Sequence, residues 1–151
     1  MLVRDYDSQV CSIARSLEVV GERWSLLILR SVMAGRRRFD ELRDELDIAR
    51  GVLTARLRRL EEHGVLERRL YQERPDRYEY VPTDKGLDLW PVLNHLLQWG
   101  DRYYPDQGGP PVTVTHDGCG GQPDRHQMCD RCGAALGPQN TTGFSRLRAD
   151  S

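Results

Sequence analysis

Apolar positions along this 151-residue chain form helical stripes, then two short strand-like runs, then helical stripes again. Val10, Ile13, Ala14 and Leu17 mark a first helix, which Gly21 ends. A second helix, from about Glu22 to Ala34, is apolar all round at Leu26, Leu27, Ile28 and Leu29, the pattern of a segment at a domain centre. Phe39, Leu42 and Leu46 follow at i, i+3, i+7, and Leu53, Leu57 and Leu60 at i, i+4, i+7. Only residues 47–50 separate those two stripes, and Gly64 stands just past the second as a cap after His63. Residues 65–71 and 77–81 have strand character around the turn signal Gln72-Glu73-Arg74-Pro75-Asp76.

Thr83 can cap a long final helix beginning near Asp84, which Pro91 is expected to kink in its second turn. That helix carries two stripes. Leu87, Trp90, Leu93, Leu97 and Tyr104 make one; Leu89, Val92, Leu96, Trp99 and Tyr103 make the other. One is enough to pack on the helix's own domain. The second needs a partner, and a second copy of the chain is the simplest.

Helix, turn, helix, then an Arg-tipped hairpin is the plan of a winged helix that reads DNA. Charge supports it locally. Net charge is only -1, yet residues 36–77 hold twelve Arg against ten acids, and Lys85 is the only Lys. Arg suits bidentate phosphate and guanine recognition, although a GC-rich genome gives the same bias. With Leu53, Leu57 and Leu60 inward, Gly51, Ala55, Arg58 and Glu62 lie opposite, flanked by Thr54 and Arg59. Arg50, Thr54 and Arg58 are therefore the candidate base-contacting residues, Arg58 as a guanine reader. Gly51 and Ala55 are small enough to permit close approach. Arg59 joins this set, with Arg74 and Arg77 on the hairpin as contacts to phosphate or a minor groove. Arg36, Arg37 and Arg38 are candidates for a backbone clamp, against the plainer reading of a wet basic loop.

From Pro105 the composition changes. Pro105, Gly108, Gly109, Pro110 and Pro111 mark a linker, residues 112–115 are extended, and residues from about 139 onward read as a frayed tail. His116-x-x-Cys119 and Cys129-x-x-Cys132 lie between, each last Cys followed by Gly. Three thiolates and an imidazole satisfy tetrahedral Zn²⁺, and a module so poor in apolar residues needs a metal to fold. His126 is an alternative fourth ligand, and free or redox-active thiols an alternative to metal. A zinc deaminase is excluded by the missing His-x-Glu, and four protein ligands leave no open position for water. No enzyme constellation stands out elsewhere.

The run from about Val10 to Tyr103 resembles the HxlR family of bacterial winged-helix regulators, relatives of the MarR group. The resemblance rests on Cys11-Ser12-Ile13-Ala14-Arg15, Gly21-Glu22-Arg23-Trp24, Leu27-Ile28-Leu29-Arg30 and Arg38-Phe39-Asp40-Glu41-Leu42. It continues through Leu53-Thr54-Ala55-Arg56-Leu57, Leu60-Glu61-Glu62-His63-Gly64, Thr83-Asp84-Lys85-Gly86 and Trp99-Gly100. Ala49-Arg50-Gly51 and Pro82 depart from the family's pattern. The resemblance implies a homodimer joined through the first and last helices, with each recognition helix in a major groove and each wing along the backbone. It also implies a repressor rather than an activator. Some members sense oxidants through a Cys in the region of Cys11, whereas a lone Cys is by residue type more often buried and inert.

The expected fold is mainly α with a small β-hairpin. A winged helix-turn-helix domain occupies residues 1–105, a linker and short extended segment 106–115, a zinc-ribbon-like Cys₃His module 116–137, and a flexible tail 138–151. The expected partners are double-stranded DNA and a second copy through Leu89, Val92, Leu96, Trp99 and Tyr103, with a small-molecule or redox effector left open. No membrane span or signal peptide is expected, and few scattered Cys suggest the cytoplasm. The competing reading is a redox- or metal-responsive interaction module built on the Cys cluster, with DNA binding secondary or absent.

Overall fold

A computed structural model describes residues 10–105, 107–110 and 112–146; the expectations for residues 1–9 and 147–151 lie outside them. Contacts divide the chain into two compact units, one up to Asp84 and one from Lys85 onward.

The first unit contains α1 (Ser12–Val20), α2 (Ser25–Met33), α3 (Phe39–Leu46), α4 (Arg50–Glu62), β1 (Leu66–Gln72) and β2 (Arg77–Pro82). Its core is the predicted one at α2 and α4: Ile28, Leu29, Val32, Leu42, Leu53 and Leu60 are sealed from solvent. Burial of each such side chain stabilises by about 1.5–3 kcal/mol. Leu27, by contrast, lies partly exposed, so α2 buries one side rather than its whole circumference. The first helix departs further. Ala14 is buried, but Val10, Ile13 and Leu17 are exposed, so the predicted stripe faces outward.

Asp47 ends α3 in the left-handed region at φ 51, which Asp tolerates, and the chain enters α4 within three residues. Glu41 accepts the backbone N–H groups of Arg37 and Arg38, satisfying donors at the start of α3. β1 and β2 pair antiparallel from Leu66–Pro82 to Gln72–Arg77, with a register shift between Leu70 and Gln72. The hairpin is pinned at its base. Tyr80 N–H donates to Arg37 O at 2.7 Å, and the Thr83 hydroxyl donates to Gly64 O and Val65 O.

In the second unit the single kinked helix expected from Asp84 is two: α5 (Asp84–Leu87) and α6 (Trp90–Tyr103). Pro91 lies in the first turn of α6, where its missing N–H leaves no helical bond unmade, so it starts a helix instead of bending one. Two strands follow, β3 (Val112–His116) and β4 (Thr141–Arg146), paired antiparallel. β4 corrects the expectation of a frayed tail: Gly143 sits so close to Val114 that a side chain there would clash, and Phe144 is buried.

Contacts group α6 with the Cys-rich module. Trp90 meets Phe144 edge to face at 6.5 Å between ring centres, which shows what the inner stripe of α6 packs on. Among the described residues no helix is long and apolar enough to cross a membrane.

Candidate functional site

Two surfaces carry chemistry, one in each unit. The first is the outer side of α4 with the hairpin. Leu53, Leu57 and Leu60 turn inward, and the opposite positions Arg50, Gly51, Thr54, Ala55 and Arg58 are all exposed. Gly51 has open space about it. Arg50 lies over the ring of Phe39 at 5.1 Å and 3.9 Å from Asp40, so its stem is oriented while its head remains largely in water. Thr54 Oγ1 donates to Arg50 O at 2.8 Å, leaving its lone pairs as acceptors.

Not every arginine of the helix is free to point outward. Arg59 donates through Nη2 and Nε to Glu18 O at 2.6 and 3.3 Å, so its guanidinium ties α4 to α1. This departs from its place in the expected contact set. Arg56 pairs with Glu22 at 2.6 Å. Arg36 of the basic loop pairs with Glu45 at 3.3 Å, while Arg37 is exposed. Arg38 stacks over Tyr71 of β1 at 4.5 Å, joining the loop before α3 to the hairpin. At the hairpin, Arg74 adopts φ 57 and is exposed, and Arg77 is exposed at the first position of β2.

The second surface is the Cys/His cluster. His116 ends β3, Cys119 follows on a tight turn, and Cys129 and Cys132 bracket a second turn. The four ligand atoms lie within 4.8 Å of one another. His116 Nδ1 stands 3.2 Å from Cys119 Sγ and 3.3 Å from Cys132 Sγ, and Cys119 Sγ 3.4 Å from Cys129 Sγ. Bonds of ~2.3 Å in a tetrahedron give edges of about 3.8 Å; the three separations fall a few tenths of an ångström below this, within the reach of one ion. The set chooses between the two candidate imidazoles: His116 is in the cluster, and His126 is exposed outside it.

The backbone is built around sulfur. Gly121 N–H points at Cys119 Sγ at 3.4 Å, and Gly120 N–H closes the turn on His116 O. Gly121 has no room for a side chain, because a Cβ there would collide with Cys129 Sγ. The backbone N–H of Cys132, with that of Arg131, pulls the Cys129 thiol down to about 6 against the opposing effect of burial. Cys119 accepts from Gly121 N–H, which lowers its pKa, but its hydrogen bonds with Cys129 and Cys132 and its burial leave the thiol raised overall. A cation would favour all three thiolates together. Arg131 Nη1 donates to Cys119 O at 2.8 Å, bracing one turn against the other.

Cys11 occupies the N-cap position of α1 without a side-chain capping bond and is exposed, unlike the buried thiol expected from residue type. On α6 the inner stripe is covered at Trp90 and Leu93, whereas Val92, Leu96, Trp99 and Tyr103 are 44 to 60% exposed and Leu89 is half-buried.

The sequence reading did not single out a polar seam beside the cluster. Asn94, almost fully buried on α6, donates to Gln127 Oε1, and Gln127 Nε2 donates to Gln98 Oε1 at 3.1 Å. Gln98 Nε2 in turn donates to Pro123 O and Asp124 O. Amides at 94 and 98, one helical turn apart and both flanked by the apolar residues of the helix, were the available signal.

Residues 19–108 match the model of the HxlR-like helix-turn-helix family. The chain belongs to this family. An HTH-type transcriptional regulator of Mycobacterium tuberculosis is 44% identical over 145 residues, spanning 93% of this chain and 92% of its own. The solved structure of PA1607, described as a transcription factor, is similar at a TM-score of 0.70 and 35% identity, over 93% of this chain and 96% of that one. An overlap of that size reaches across the Cys/His cluster wherever it begins. The redox regulator HypR matches at a TM-score of 0.57 and 30% identity, over 61% of this chain and 92% of its own, so its length accommodates little beyond the family's shared part. The chain is accordingly a member of a helix-turn-helix family of transcriptional regulators.

Proposed function

We propose that this HxlR-like chain is a sequence-specific regulator of transcription that works as a homodimer, most simply as a repressor. α4 enters a major groove, and the hairpin lies on the backbone or in an adjacent minor groove. The observation that carries the reading is the two-sidedness of α4: Leu53, Leu57 and Leu60 are sealed within the unit, while Arg50, Gly51, Thr54, Ala55 and Arg58 stand in solvent. A helix with small residues between two arginines can approach base edges closely and still reach guanine. Arg74 and Arg77 contribute phosphate contacts, with Arg38 at the rim. Arg59 is left out of the contact set because its guanidinium holds Glu18 O.

Pairing of two chains is supported by two exposed apolar faces, Val10 with Ile13 and Leu17 at and before α1, and Val92, Leu96, Trp99 and Tyr103 on α6. Isolated exposed apolar residues are ordinary, but rows of this length signal a covered surface.

In the second unit we read Zn²⁺ as a structural ion held by His116, Cys119, Cys129 and Cys132. Three thiolates and an imidazole match its preference, and the set closes the coordination shell. A cytoplasmic setting follows from this assignment, since it keeps the thiols reduced.

Selection of bound fragments from genomic DNA, repeated after chelation, tests the whole. Recovered fragments should contain inverted half-sites about one helical turn apart, and affinity should fall steeply with salt. Equal recovery of all sequences, or no salt dependence, would reject it in favour of an interaction module centred on the Cys cluster.

A further inference from the structure

The loop that supplies Cys129 to the metal cluster is the same loop that grips α6. Asp124 Oδ1 accepts the backbone N–H groups of His126 and Met128, folding residues 124–128 into a closed turn. Gln127 sits at φ 61, a conformation that presents its side chain to Asn94 and Gln98. Pro123 and Asp124 offer their carbonyls to Gln98. On the other side of the turn, Cys129 N–H donates to Ala134 O, and Gly133 N–H to Cys129 O. Ligand and latch are thus two residues apart in one hydrogen-bonded loop.

α6 depends on that loop. Asn94 is 1% exposed, so when Gln127 departs its buried amide loses the acceptor it donates to, which is unfavourable. Phe144, which covers Trp90, lies on β4, and β4 pairs with the strand that ends in ligand His116. Both anchor points of α6 therefore run back to metal ligands, through Cys129 and through His116. Residues 116–135 bury few apolar side chains of their own, so ligation supplies the order of the loops that carry Cys119 and Gln127.

We infer that the metal centre fastens α6: occupancy of His116, Cys119, Cys129 and Cys132 fixes the Gln127 latch. Through it, occupancy fixes the helix whose outer row, Val92, Leu96, Trp99 and Tyr103, seeks a second copy. Metal supply is in this way linked to self-association. The inference rests on the zinc assignment and the pairing proposed above, and adds that one controls the other.

The test uses the full chain. Zinc per chain is measured by metal analysis, α6 order by amide hydrogen exchange over residues 90–103, and association by sedimentation velocity at micromolar concentration. The three are repeated after chelation, after zinc readdition, and in Cys132→Ser and Gln127→Ala. Chelation and Cys132→Ser should raise α6 exchange at least tenfold and weaken association at least tenfold, with readdition restoring the chelated protein. Gln127→Ala should keep one zinc per chain and still loosen α6. Residues 50–62 should keep their protection throughout.

Absence of bound zinc in the untreated protein sinks the metal assignment on which the inference depends. Zinc that binds stoichiometrically but leaves α6 exchange unchanged on removal sinks the coupling alone. Loosening that spreads equally to residues 50–62 also sinks it, as unfolding of the whole chain. A zinc-loaded protein that is monomeric removes the link to association.

Discussion

Arg59 on α4 reaches the carbonyl oxygen of Glu18 on α1 at 2.6 Å, with a second contact at 3.3 Å from the same guanidinium. The bond crosses 41 residues of sequence and is partly buried. It makes α1 a buttress for the helix that faces solvent. Arg59→Ala should lower stability to chemical denaturation by about 1–3 kcal/mol, the range for a charge-assisted bond that leaves a partner behind. DNA affinity of the folded fraction should change little. A large loss of affinity without loss of stability would return Arg59 to the contact surface.

Arg58 and Arg74 should fail in different ways. Arg58→Ala should relax preference at one base position by about 1–3 kcal/mol and leave other positions alone. Arg74→Ala should weaken binding to every sequence and reduce the slope of log affinity against log salt by about one. Binding titrations across a salt series on a cognate duplex and its single-base variants separate the two. Identical behaviour of both variants would mean that α4 does not read bases.

The periodicity of residues 39–81 made the helix-turn-helix and its hairpin legible, because that unit buries residues chosen by the period itself. Reading ran out where partner and register decide the outcome. The stripe Val10, Ile13 and Leu17 has the correct spacing for a core face and yet lies outward, since periodicity identifies a face and not what covers it. Pro91 signals an interruption, expected as a kink in one long helix, but it stands at the start of a new helix instead. The grouping of His116, Cys119, Cys129 and Cys132 was readable from spacing, with His126 left open as an alternative to His116. The place of His116 depends on the extended run of β3 delivering it to the cluster through the pairing with β4, the strand whose Thr, Gly and Ser residues do not announce it. Arg58 and Arg59 are neighbours in sequence but about 100° apart around the helix, Arg58 opposite the buried leucines and Arg59 on the flank. That the flank meets Glu18 O is not legible in the sequence.

Leu96 and Trp99 stand 48% and 55% exposed on the outer row of α6, while Trp90 and Leu93 are buried on the inner one. Leu96→Asp should raise the dimer dissociation constant at least tenfold, about 1.4 kcal/mol, measured by sedimentation. Trp99→Ala should have an equal or greater effect, as aromatic residues commonly dominate interfaces. Neither should reduce secondary structure, because each projects away from the core of its own chain. Unchanged association in both would show that another surface joins the copies.

Gly121 offers the sharpest test of the metal centre, because its role is a matter of space. A Cβ at this position would lie inside 3.0 Å of Cys129 Sγ and of Asp130 Oδ1, neither of which is the loose end of a long side chain. Asp130 Oδ1 is held by Gln122 N–H at 2.8 Å, and Cys129 is fixed by its backbone bonds on both sides. The added methyl can be accommodated only by moving a ligand sulfur. Gly121→Ala should therefore weaken zinc binding at least tenfold in competition with a chromogenic chelator. Gly133 provides the contrast. It sits at φ 75 with open space around it, and Asn tolerates that region of backbone. Gly133→Asn should retain one zinc per chain at near-native affinity. If the two variants bound zinc equally well, the close approach of Gly121 to Cys129 would have no part in shaping the site, and the ligand set would need to be sought elsewhere.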